Sequence, residues 1–137
     1  MTKWHLAVIA AALAGAVTLG GGIVSTAWSA SPGIIKSLDP DNDGTMDLNE
    51  AKAVAARVFD LLDRDKDGTL DRRELRARVS GRELAAADPD KDATLDKNEY
   101  MALVERRFKA ADPDKDGTID AKELRSRAGF TLLHLLK

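Results

Sequence analysis

Carboxylates recur at one fixed spacing four times along the 137-residue chain. Within each stretch of twelve residues, Asp stands at positions 1, 3, 5 and 9 and Glu at position 12. The four sets are Asp39, Asp41, Asp43, Asp47 and Glu50; Asp63, Asp65, Asp67, Asp71 and Glu74; Asp88, Asp90, Asp92, Asp96 and Glu99; and Asp112, Asp114, Asp116, Asp120 and Glu123. Five in each of four stretches make 20 of the 23 acidic residues, so nearly all the acid serves one purpose. Position 7 is Thr each time: Thr45, Thr69, Thr94 and Thr118. A hard cation needs six or more oxygens on a small sphere. A tight loop can aim the side chains at 1, 3, 5 and 9 and the carbonyl of 7 at one point, and Glu at 12 closes the shell with two oxygens. Gly at position 6 supplies the positive φ of the sharp turn in three of the four.

The spacing is that of the EF-hand loop, and four copies in register exclude ordinary acidic surface turns. Lys and Arg fill the segments between the loops, and the net charge is only −2. Arg72, Arg73, Arg76, Arg78 and Arg82, then Arg106, Arg107 and Lys109, read as solvated helix faces that offset the loop charge. No aromatic residues interleave with them, and the loop carboxylates would repel phosphate, so nucleic acid is not an expected partner. There is no cysteine, which excludes disulfides and thiolate metal sites. Of the two histidines, His5 lies in the N-terminal apolar segment and His134 in a leucine-rich end. No nucleophile–base set, phosphate-binding glycine loop or spare carboxylate pair remains, so no enzyme is expected.

The first residues read as an export signal. One lysine precedes an apolar run over 6–19, and small residues follow. Cleavage after Ala27 or Ser29 fits the small-residue rule, and Ala30 fits it less well because Trp28 lies in the third position back, giving a signal peptide over 1–27 (with cleavage as late as 30), a linker over 28–33 and a metal-binding domain over 34–137. An uncleaved anchor is the other reading, because the apolar stretch extends through Val24. The Gly20, Gly21 and Gly22 run suits a removed peptide better than a packed membrane helix.

The loops must be positioned by short helices. Residues 51–62 and 100–111 each read as one unbroken helix, with Val54, Val58, Leu61 and Leu62 as the inward stripe of the first. Tyr100, Leu103, Val104, Phe108 and Ala111 form the stripe of the second. Between loops 2 and 3, residues 75–79 begin as helix, and Ser80 with Glu83 form a capping box that starts another. EF-hand loops pair through a backbone bridge at position 8, here Met46, Leu70, Leu95 and Ile119. A twelve-residue helix is about 18 Å long, whereas bridged strands lie about 4.8 Å apart, so loops joined by one helix cannot bridge each other. The expectation is an all-α, compact four-EF-hand bundle with short inter-loop helices, loop 1 pairing with loop 4 and loop 2 with loop 3. That brings Ile34, Ile35 and Leu38 to Leu124, Phe130, Leu132, Leu133, Leu135 and Leu136.

The export signal, loops only twelve or thirteen residues apart, Asp at position 9, and proline at position 2 (Pro40, Pro89, Pro113) carry a further resemblance. The chain resembles lanmodulin, the bacterial lanthanide-binding EF-hand family, over essentially the whole exported length. The resemblance implies a periplasmic protein that folds around up to four lanthanide(III) ions, with a role beside a lanthanide-dependent alcohol dehydrogenase or an uptake system. A Ca2+ buffer or sensor with the same loops is the alternative. A calmodulin-like adaptor is disfavoured, because beyond Met1 only Met46 and Met101 could line a target groove. Two loops depart from the family pattern. Loop 2 has Arg64 in place of proline, and loop 3 has Ala93 in place of glycine, which predicts a strained third site.

Overall fold

The computed structural model describes residues 33–137. The signal peptide expected at 1–27 lies outside the described residues, as does the linker apart from Gly33. Among the described residues no helix is long and apolar enough to cross a membrane.

Each metal loop ends in a helix for the same local reason. The Asp at position 9 is the N-cap, its side chain accepting from the N–H of the Glu at position 12, while that Glu reaches back to the cap N–H. Four capping boxes thus launch α2 (Leu48–Leu62), α3 (Arg72–Leu75), α5 (Lys97–Ala111) and α6 (Ala121–Leu124). A short α1 (Gly33–Leu38) enters loop 1. Ser80 caps α4 (Gly81–Ala87), which enters loop 3, and Ser126 caps the closing helix α7 (Arg127–Leu133).

The loop pairing follows the length argument. Two-residue strands β1 (Met46–Asp47) and β4 (Thr118–Ile119) pair antiparallel with Met46 opposite Ile119. Strands β2 (Thr69–Leu70) and β3 (Leu95–Asp96) pair with Leu70 opposite Leu95. The position-8 residues of all four loops are fully buried, so each bridge is also a core contact. Helices α2 and α5, 15 residues and so about 22 Å long, hold the members of different pairs apart. They lie antiparallel, Lys52 reaching Glu105 at 2.8 Å and Lys97 reaching Asp60 at 2.9 Å. Phe59 and Tyr100 meet edge to face at 5.6 Å between them.

One core joins both ends. Leu38 packs in the same cluster as Leu124, Leu132, Leu133, Leu135 and Leu136, with Ile35 against it. Tyr100, Leu103, Val104, Phe108 and Ala111 are all buried as the helical period requires. Three expectations need correction. On α2, Ala51, Ala55, Val58 and Phe59 are buried and Val54 and Leu62 pack half-buried against the core as expected, but Leu61 is 77% exposed. At about 100° per residue Leu61 sits some 200° around from Phe59, and the small alanines are what let α5 approach. Phe130 is half exposed, because α7 turns Gly129, Leu132 and Leu133 inward and leaves Phe130 tilted against His134. Residues 75–79 do not start a helix: α3 ends at Leu75, and Arg76 and Ala77 take positive φ. That reversal folds loop 2 back onto loop 3.

Candidate metal centre

The loops begin as helix C-caps and end as helix N-caps, so their geometry is set at both ends. Asp63 and Asp112 cap α2 and α5, each donating its N–H to the carbonyl of a core phenylalanine, Phe59 or Phe108. At position 4 the backbone turns left-handed in every loop, at φ 60 or 61 for Asn42, Lys66, Lys91 and Lys115. At position 6, Gly44, Gly68 and Gly117 take φ 88 to 91, and Ala93 takes φ 68. The expected positive φ at Ala93 is therefore present, shifted toward the region an L residue tolerates best.

This path converges the carboxylates. Asp63, Asp65 and Glu74 place ligand oxygens within 4.8 Å of one another, as do Asp88, Asp90 and Glu99, and Asp112, Asp114 and Glu123. Loop 1 converges Asp39, Asp41 and Asp43 instead. Oxygens bound to one hard cation at about 2.3–2.6 Å lie no more than about 5 Å apart, so each group is sized for such an ion. Asp39, Asp88 and Asp112 are buried, an unusual place for a carboxylate without a counter-charge. Asp63 Oδ1, Asp112 Oδ1 and Glu50 Oε1 are buried without a donor. Such an oxygen is costly unless a proton or a cation meets it, and among the described residues no lysine or arginine side chain bonds to any of the three. The donor set is oxygen throughout, as a hard cation requires.

The remaining site residues have divided roles. The position-1 carboxylate accepts from the N–H at position 6: Gly44 to Asp39 at 2.9 Å, Gly68 to Asp63 at 3.1 Å, Ala93 to Asp88 at 2.8 Å and Gly117 to Asp112 at 3.1 Å. Asp43, Asp67, Asp92 and Asp116 at position 5 each accept from both the N–H and the hydroxyl of the Thr at position 7. Asp47, Asp71, Asp96 and Asp120 at position 9 stand outside the convergent groups and spend one oxygen as helix caps.

Shared hydrogen bonds and burial shift the titration of loops 1 and 3. Sharing a hydrogen bond with Asp39 holds Asp41 above the usual carboxylate range, and Asp88 does the same to Asp90. Burial pushes Asp39 and Asp88 up, but the N–H groups of Gly44 and Ala93 and their neighbours outweigh it and hold both low. Burial, with the loop aspartates beside them, raises Glu50 and Glu99.

Two basic residues differ from the sequence reading. Arg107 is buried rather than solvated: its guanidinium grips Glu83 through two bonds of 2.9 and 2.7 Å and also donates to the carbonyls of Arg78 and Thr131. Its own helix pattern offered no signal, because the partners come from three other segments. Arg64 meets loop 2 through its backbone as well as its charge, its N–H donating to Glu74 Oε1 at 2.8 Å.

Compared with known proteins, residues 54–80 and 103–126 match the EF hand family model, covering loops 2 and 4 with the ends of the helices that lead into them. No curated protein matches the chain. The two matched segments and the four convergent carboxylate groups fit an EF-hand protein that binds metal ions.

Proposed function

We propose that the protein folds around trivalent lanthanide ions in the periplasm and sequesters or traffics them. The observation that carries this reading is the density of carboxylate per loop. Five carboxylates around a divalent ion leave a charge of −3, and around a trivalent ion −2. With the loops bridged in pairs, that excess is concentrated in adjacent sites, and an extra positive charge per ion relieves it most. The resemblance to lanmodulin supports the same choice. It also links the protein to lanthanide uptake or to a lanthanide-dependent alcohol dehydrogenase, and the apolar, lysine-led residues 1–27 support export.

A calcium buffer or sensor is the second reading. The position-9 aspartates favour it, since a carboxylate committed to capping leaves room for the water that calcium sites often hold there. Far-UV circular dichroism with free metal set by chelator buffers separates the two. A helical transition at lanthanum activities orders of magnitude below those needed with calcium supports the lanthanide reading. Coincident transitions overturn it and leave a calcium protein.

A further inference from the structure

Three of the four loops have proline at position 2, and the fourth shows what proline prevents. In every loop the position-12 carboxylate accepts from the N–H at position 9 through one oxygen: Glu50 from Asp47 at 2.8 Å, Glu74 from Asp71 at 3.1 Å, Glu99 from Asp96 at 2.8 Å and Glu123 from Asp120 at 2.9 Å. Only in loop 2 does the other oxygen meet a second backbone donor, the N–H of Arg64. Pro40, Pro89 and Pro113 have no N–H to offer. In loop 1 the corresponding oxygen, Glu50 Oε1, is buried with no partner at all.

We propose that the residue at position 2 sets the strength of each loop through its backbone N–H, and that Arg64 acts as a brake on loop 2 by occupying the Glu74 oxygen that an ion must take. This rests on the metal-binding reading of the loops. Bidentate binding by Glu74 requires the Arg64 N–H to give up a carboxylate acceptor, and a hydrogen bond to a charged group is among the stronger ones. Where proline stands at position 2 there is no such bond to break. Proline itself would fit at 64. The preceding Asp63 has ψ 87, matching ψ 88 at Asp88 and ψ 82 at Asp112, both of which precede proline. The Arg64 side chain is exposed, so its loss disturbs no packing.

The test compares Arg64→Pro with Arg64→Ala, because alanine removes the charge but keeps the N–H. The amides of Gly44, Gly68, Ala93 and Gly117 each donate to the first carboxylate of their own loop, so their nitrogen–proton NMR signals report the four sites separately. With lanthanum chloride and, separately, calcium chloride as probes, Arg64→Pro is expected to tighten loop 2 about tenfold. Arg64→Ala is expected to change it by only about two- to threefold. Pro113→Ala, which adds the missing N–H to loop 4, is expected to weaken that loop while leaving Gly68 and Ala93, in the other bridged pair, unmoved. Equal tightening by Arg64→Ala and Arg64→Pro overturns the proposal in favour of side-chain charge. So does a loop 2 that weakens or stays put in Arg64→Pro while the other loops respond, and that outcome leaves the metal reading standing. Silence of all four amides toward both ions overturns the metal reading and the proposal together.

Discussion

The third loop carries two non-glycine residues in left-handed backbone, Lys91 and Ala93, where its sisters carry one. A left-handed L residue costs about 1–2 kcal/mol, while replacing alanine by glycine loosens the unfolded chain by about 0.4–1 kcal/mol. The first effect exceeds the second, so Ala93→Gly is expected to stabilise the metal-loaded form by about 1 kcal/mol and to tighten loop 3. Denaturant melts of the loaded protein and the backbone amide signal at this position, before and after the substitution, check this; an unchanged third site would sink the strain argument. The position-12 glutamates act at the same scale. Glu50→Gln removes the charge of the one such carboxylate with a buried donorless oxygen and is expected to weaken loop 1 by tenfold or more, on the order of a lost charged ligand. Titration followed at Gly44 measures it.

Among the helices, α5 bears the heaviest load, and Arg107 is the reason. It ties α4 through Glu83, the turn after α3 through the Arg78 carbonyl, and α7 through the Thr131 carbonyl. Arg107→Ala leaves Glu83 and two carbonyls without their donor and is expected to cost about 3 kcal/mol. Thermal melts of the loaded protein test this, and a loss below about 1 kcal/mol would mark the cluster as an ordinary surface pair. The hydrogen bond from Arg107 holds Glu83 below the usual carboxylate range despite its partial burial. Because its folded value is depressed, the stability it supplies is present above the ordinary glutamate range and is lost as pH falls through the folded value. Glu83→Gln should remove that part of the acid limb in melts recorded from pH 7 downward. Gly129 is the second contact of this kind. A Cβ there would lie 2.6 Å from Leu124 Cα and press on the Glu123 carbonyl, at the end of loop 4. The better helix propensity of alanine, about 1 kcal/mol, does not offset such overpacking, and Gly129→Ala is expected to destabilise the protein by about 2 kcal/mol.

On the scale of the whole molecule, twenty carboxylates in four loops surround one small core. Without metal their repulsion works against the contacts that close the bundle, so ion binding is expected to supply much of the folding free energy. The metal-free protein is expected to lose helix at neutral pH and low salt, and to regain part of it as salt shortens the screening length to about 10 Å at 0.1 M. Circular dichroism with a chelator present checks this, and native helix content with a cooperative melt would refute it. Acid acts in two senses. Asp41, Glu50, Asp90 and Glu99 are raised in the fold, so their contribution to the metal-free form is greatest when they are protonated and is lost as pH rises through their folded values, whereas Asp39 and Asp88 run the other way. Protons compete with an ion for these carboxylates, and because the free groups of loops 1 and 3 hold protons to higher pH, those loops are expected to lose their ions before loops 2 and 4 as pH falls. A pH titration of the Gly44 and Ala93 amides follows it.

The four loops, the convergence of carboxylates within each, and the 1-with-4 and 2-with-3 pairing were legible in the sequence, because each follows from short-range geometry. Carboxylate spacing sets a loop, an unbroken helix sets a distance, and a distance forbids a bridge. The capping role of the Asp at position 9 was not legible, since nothing in the spacing distinguishes an oxygen aimed at an ion from one aimed at a helix N–H. What tertiary structure decided were the contacts among segments remote in the chain. Arg107 looks like any exposed arginine until α4, α7 and the turn after α3 surround it, and Leu61 looks like core until the buried Ala51 and Ala55 of α2 draw α5 to another face. Even the effect of Arg64 depends on ten residues of loop bringing its N–H to Glu74. Periodicity reports which side of a helix is apolar, but only the packed partners determine which atoms meet there.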